Sequence, residues 1–117
     1  MPLFELRTNQ RPDKEEVSSL VSEISRVCSE ILCKPEKYVM VSLQVGQSLV
    51  FAGTDEPAAF GELRSIDLPK NETIILSSRL CSFLSERLHV SEDRIYLSFI
   101  DVERDNWGWN GKTFGSI

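Results

Sequence analysis

Residues 14–44 read KEEVSSLVSEISRVCSEILCKPEKYVMVSLQ, and residues 70–100 read KNETIILSSRLCSFLSERLHVSEDRIYLSFI. Aligned at a shift of 56, the two stretches agree at Lys14, Glu16, Leu20, Ser22, Ser29, Glu30, Leu32, Glu36 and Ser42, nine identities in 31 positions. Chance matching at average residue frequencies gives about two. In the first copy the apolar residues Val17, Leu20, Val21, Ile24, Val27, Cys28, Ile31 and Leu32 recur at steps of three or one, which makes one helical stripe. Asp13 with Glu16 three residues on is a capping-box variant that opens this helix, and the ring of Pro35 disfavours helical geometry at Lys34 and closes it. In the second copy Leu76, Leu80, Phe83, Leu84 and Leu88 form the stripe, behind an opening at Pro69-Lys70-Asn71.

Strands flank both helices. Met1-Pro2-Leu3-Phe4-Glu5-Leu6-Arg7-Thr8 alternates apolar and polar residues, and a turn follows at 9–12. A second strand is expected from Tyr38 to about Val45, with Val39, Val41, Leu43 and Val45 on one face and Tyr38, Met40, Ser42 and Gln44 on the other. Leu49-Val50-Phe51 reads as a short edge strand, Ala58–Ile66 as a third long strand, and Ile95–Val102 as a fourth. The result is an α/β fold of two duplicated β-α-β units, residues 1–56 and 57–117, within one domain. Right-handed crossovers place both helices on one face of a four-stranded mixed sheet. The opposite face then carries Tyr38, Met40, Ser42, Tyr96, Ser98 and Ile100, too apolar for water and too polar for a sealed core, so a closed oligomer is expected to cover it. Asn110-Gly111 between Trp107, Trp109 and Phe114 predicts a C-terminal hairpin whose aromatic rings can wall a pocket.

Composition excludes other classes. The chain has 117 residues, a net charge of −5 and no basic cluster, which argues against a nucleic-acid partner. It has no apolar run of membrane-spanning length and no secretory leader, so cytoplasmic synthesis is the expectation and no membrane partner is implied. Cys28, Cys33 and Cys81 form no C-x-x-C pair and fit a reducing compartment. No His, Cys or carboxylate cluster suggests a metal, and no cofactor is expected. His89, the only histidine, reads as a helix-end or surface group.

Taken singly, Pro2 is a strand opener without a ladder donor, Lys34 a helix-terminus charge, and Tyr38, Tyr96, Trp109 and Phe114 packing residues. Taken together they resemble the macrophage migration inhibitory factor family of the tautomerase superfamily. The resemblance rests on Met1-Pro2 opening a strand, the run from Lys34 to Met40, Phe51-Ala52-Gly53 before Glu56-Pro57, and Ser65-Ile66. It continues through Asp93-Arg94-Ile95-Tyr96 and the tail from Trp107 to Phe114.

The resemblance implies a homotrimer with sites between subunits, and a keto-enol isomerase of the phenylpyruvate tautomerase type acting on aromatic 2-oxo acids. Pro2, freed by loss of Met1, is then the catalytic base. Lys34 depresses its pKa and pairs the substrate carboxylate, with Ser65 and the backbone N–H of Ile66 holding its oxygens. Tyr38, Trp109 and Phe114 wall the ring, while Tyr96 and Ser98 reach in from a neighbouring subunit. Against the family pattern, Ser98 shortens an amide side chain and Trp107 enlarges the rim. Cys33 and Asp67 replace glycines, and Ala58 and Gly61 stand where the animal protein has cysteines. Cys33, Asp67 and Trp107 motivate a second expectation, a cytokine-like or intracellular interaction protein that binds a protein receptor or partner. The pocket is then vestigial or a ligand site. The resemblance also leaves open release from the cell without a signal peptide.

Overall fold

The computed structural model describes residues 2–117. Its order is β1 (Leu3–Thr8), α1 (Lys14–Leu32), β2 (Met40–Gln44), β3 (Ala59–Ile66), α2 (Thr73–Leu88), β4 (Ile95–Val102), β5 (Gly108–Trp109) and β6 (Lys112–Thr113). The four long strands form one mixed sheet in the order β2-β1-β3-β4, with β1/β2 and β3/β4 parallel and β1/β3 antiparallel. That is the duplicated architecture expected from the 56-residue repeat, and the repeat extends to backbone detail. The 3-10 turns at Glu36–Tyr38 and Glu92–Arg94 keep the shift, and so do the helix caps. Cys33 ends α1 at φ 53°, ψ 46°, and His89 ends α2 at φ 59°, ψ 46°.

Both helices bury their stripes against the same side of the sheet. Leu20, Ile24 and Cys28 from α1 and Leu76, Leu80 and Leu84 from α2 share one apolar cluster with Phe4, Leu6 and Leu63. Burial pushes the Cys28 thiol up to about 12, so it acts as a small hydrophobe rather than a nucleophile. Gly61 is required beneath Phe4: a Cβ there would stand 2.7 Å from the ring's Cζ. An ion pair between Glu23 and Arg87 ties the two helices at the surface.

Two expectations change in detail. The second strand begins at Met40 rather than Tyr38, because Pro35 starts a 3-10 turn in which Tyr38 N–H donates to the Pro35 carbonyl at 3.1 Å. Tyr38 therefore leaves the sheet's open face. Leu49-Val50-Phe51 is no strand; Phe51 makes only an isolated bridge to Thr54, since among the described residues no strand runs beside it. This segment is held instead by Arg94, whose guanidinium donates to the carbonyls of Pro57 (2.8 Å), Phe51 (3.0 Å), Glu56 (3.0 Å) and Thr54 (3.4 Å). On the open face Met40 is 67% exposed, Tyr96 64% and Ile100 37%. Among the described residues no helix is long and apolar enough to cross a membrane.

Asp101, near the end of β4, fastens the entry to α2. Its Oδ1 accepts from the Leu68 N–H at 3.1 Å and its Oδ2 pairs with Lys70 Nζ at 3.3 Å. The Leu68 bond chiefly, then the bond to Lys70, and then the charges of Lys70 and Lys34 hold its carboxyl below the usual range.

Two outcomes are expected. Left-handed backbone costs a non-glycine residue about 1–2 kcal/mol, so Cys33→Gly raises the urea midpoint while Cys33→Val lowers it. For Asp101, whose folded pKa is depressed, the stabilisation is complete above the unfolded value and is lost as pH falls through the folded one. Asp101→Asn keeps an acceptor for Leu68 but removes the charge. It therefore lowers thermal stability near neutral pH, and the gap to the parent protein closes below about pH 4.

Candidate functional site

At the end of the sheet where β1 begins, the chain forms a cleft of about 420 Å³. Pro2 is buried at its base. The position follows from register. Pairing of Leu3 with Met40 and with Arg64 sets Pro2 between Val39 and Ser65, and the Pro2 carbonyl accepts from the Met40 N–H at 2.9 Å.

The walls are aromatic and come from separated parts of the chain. The turn after Pro35 swings Tyr38 to within 5.9 Å of Trp109 and 6.1 Å of Phe114, both edge-on, while Trp109 and Phe114 stack at 5.7 Å. Trp109 and Phe114 reach this spot because Asn110 (φ 54°) and Gly111 (φ 75°) adopt the left-handed geometry of a tight hairpin turn. The N–H of Phe114 donates to the carbonyl of Trp107 at 3.1 Å, which closes the hairpin base and brings Trp107 to the cleft wall. Lys37 Nζ lies 5.1 Å over the Tyr38 ring, and Arg64 enters from the sheet's open side.

Of the residues singled out in the sequence, Pro2, Tyr38, Trp109 and Phe114 meet in this cleft. Lys34, Ser65 and Ile66 do not line it. Ser65 and Ile66 are fully buried, and the Ser65 hydroxyl donates to the Ile66 carbonyl at 3.0 Å. Lys34 is half-buried after α1, close enough to Asp101 for its charge to act on that carboxyl. Tyr96 and Ser98 lie towards the far end of the sheet from Pro2. Tyr96 is level with Phe60 and Pro2 with Ser65, so five residues of strand, about 17 Å, separate them. Within one chain neither can contribute to the cleft. Met1, whose removal the Pro2 expectation requires, lies outside the described residues.

Two cleft residues escaped the sequence reading, Lys37 and Arg64. Alternation along β3 already put Arg64 on the face away from the helices. Its placement beside Leu3 depends on the β1/β3 register, which no local pattern specifies. No group of three or more His, Cys, Asp or Glu side chains among the described residues could hold a metal ion. Chemically, the cleft offers a flat apolar slot with cations at its edge and a proline at its base, suited to an aromatic anion.

Comparison with known proteins agrees with this architecture. A family model described as macrophage migration inhibitory factor matches residues 1–115. The mouse macrophage migration inhibitory factor is 36% identical over 115 residues, covering 97% of this chain and 99% of the mouse protein. The structure of the homologue from Prochlorococcus marinus superposes with a TM-score of 0.85 at 38% identity, over 97% of this chain and 99% of that one. The Trichinella spiralis protein gives 0.87 at 35% identity, over 95% and 98%. The tail hairpin, the Pro2 cleft and the doubled β-α-β sheet thus belong together, and this chain is a member of the macrophage migration inhibitory factor family.

Proposed function

We propose that the chain, as one domain built from the repeats 1–56 and 57–117, is a keto-enol tautomerase of aromatic 2-oxo acids such as phenylpyruvate. The observation that carries this reading is Pro2 buried at the base of a cleft walled by Tyr38, Trp109 and Phe114. Once Met1 is removed, the Pro2 nitrogen is a secondary amine able to accept a proton. An ordinary α-amino group titrates near 7.7–8.0 and is mostly charged at neutral pH. Apolar walls and neighbouring cations both disfavour the charged form, which supplies the neutral base that enolisation needs. The amine takes a proton from the carbon beside the ketone, and the electron pair left behind moves into the enol as the ketone oxygen gains a proton.

In this reading Lys34 pairs the substrate carboxylate; Ser65 and Ile66, fully buried in the single chain, have to be uncovered for the Ser65 hydroxyl and the Ile66 N–H to hold its oxygens. The substrate ring lies against the aromatic walls. Tyr96 and Ser98 act on a neighbouring copy's cleft in a homotrimer, in keeping with the exposed place of Tyr96 about 17 Å up the sheet. A second reading is favoured by the exposed Met40, Tyr96 and Ile100. Here an assembled surface binds a protein receptor or partner, inside the cell or after release from it, and the cleft is a ligand site. Partner binding that vanishes whenever the cleft is blocked by a substrate-like acid argues against an independent surface role.

The test is enolisation of phenylpyruvate by protein whose intact mass confirms a free Pro2, beside Pro2→Gly and a form retaining Met1. Loss of a positioned base is expected to lower kcat/KM by about a hundred-fold or more, and the Met1-retaining form, whose Pro2 nitrogen is a tertiary amide, is expected to be nearly inert. Equal rates for all three proteins would sink the proposal.

A further inference from the structure

The Pro2 cleft carries more positive charge at its edge than one carboxylate requires. Arg64 stands across from Leu3 and Ile100, on the sheet's open side, and is exposed. Glu62 holds it in an unusual way. One carboxylate oxygen, Oε1, accepts from both Arg64 Nε (2.8 Å) and Arg64 Nη2 (2.6 Å). This grip fixes the guanidinium plane and leaves Nη1 for another acceptor. Lys37, in the turn that carries Tyr38, adds an ammonium to the cleft lining, its Nζ 5.1 Å over the Tyr38 ring.

Lys34 belongs to a different neighbourhood. It acts on Asp101, which is level with Ser65 and so two strands from Pro2 along the same row of the sheet. The side chains of that row point to the helix side, since Ser65 alternates in phase with Leu63 of the helix-side core. Arg64, on the open side, and Lys37 line the edge of the Pro2 cleft, whereas Lys34, half-buried after α1, does not line it. A ligand lying in the aromatic slot across Pro2 meets Arg64 and Lys37 at the slot's edge, in addition to the Lys34 that the proposed function assigns to its first carboxylate.

We infer that the cleft selects an aromatic acid with two anionic ends: a 2-oxo acid whose ring carries a second carboxylate. The first carboxylate faces the Lys34 side, and the second is received by Arg64 Nη1 and Lys37 Nζ. This inference rests on the proposed role of the Pro2 cleft, and it makes Arg64 and Lys37 specificity-determining residues. Both side chains are partly in solvent, so the preference weakens as salt is raised.

Binding and turnover are measured separately, so that the two proposals can fail independently. Trp107 and Trp109 both line the cleft and are the chain's two tryptophans, so quenching of intrinsic fluorescence reports occupancy there. The probes are the unreactive pair cinnamate and 4-carboxycinnamate, with phenylpyruvate and 4-carboxyphenylpyruvate as the reactive pair. A charge-assisted hydrogen bond predicts about ten-fold tighter binding of the diacid. That ratio is expected to fall towards parity in the Lys37→Gln/Arg64→Gln double variant, to fall part of the way in each single variant, and to survive largely in Arg64→Lys. Equal affinity of the parent protein for the two cinnamates overturns the inference, as does a ratio that persists in the double variant. Preserved discrimination without turnover supports the diacid site while removing the isomerase. Turnover of both 2-oxo acids with equal kcat/KM and no difference in binding leaves the isomerase and removes the diacid site.

Discussion

The antiparallel ladder between β1 and β3 is the constraint on which the rest of the molecule depends. Each β-α-β unit makes its own parallel pair, but only this ladder joins the two halves into a four-stranded sheet. Its register does two things at once. On the helix side it stacks Phe4 over Gly61 and brings the two leucine-rich stripes onto one core. At the end of the sheet it sets Pro2 beside Ser65 and Leu3 beside Arg64. A one-residue slip would turn every inward side chain of a strand outward, and would dismantle the core and the cleft together.

The repeat is close in backbone and divergent in chemistry. Where the first unit has Pro2, the second has Ala58; where the first has Met40 at the head of its strand, the second has Tyr96. The equivalent loops are tied down differently. The aromatic hairpin from Trp107 to Phe114 closes over the Pro2 end, held by main-chain bonds and ring stacking. The segment from Phe51 to Pro57 lies over the Ala58 end, held by the four carbonyls that Arg94 collects and by the Phe51 ring beneath that guanidinium. Equivalent scaffolds with unlike coverings leave the aromatic-walled cleft at the Pro2 end.

Electrostatics on the open face follow the same pairing. Glu5 stands directly across from Glu62, and Arg64 relieves that like-charge contact by taking the Glu62 carboxylate. The guanidinium that balances the sheet is also the one presented to the cleft. Its orientation is thus decided by a neighbour on its own strand, not by a residue of the aromatic walls.

Much of the fold was legible in the sequence because it depends on local periodicity. The helical stripes, the Asp13 cap, the Asn110-Gly111 turn and the shift of 56 residues are each set by residues close together in the chain, and each reappears in the structure. The aromatic half of the cleft was legible too, since Pro2, Tyr38, Trp109 and Phe114 belong to segments whose order resembles a known family. What the sequence alone could not determine is what needs long-range pairing. Only the tertiary structure decided that Tyr38 leaves the sheet through the turn after Pro35, and that residues 49–51 find no partner strand among the described residues. It alone set Ser65 into the interior and Arg64 and Lys37 at the cleft. The physical reason is that side-chain alternation tells which face a residue takes, whereas the neighbour it meets there is chosen by strand register, a property of two segments about sixty residues apart.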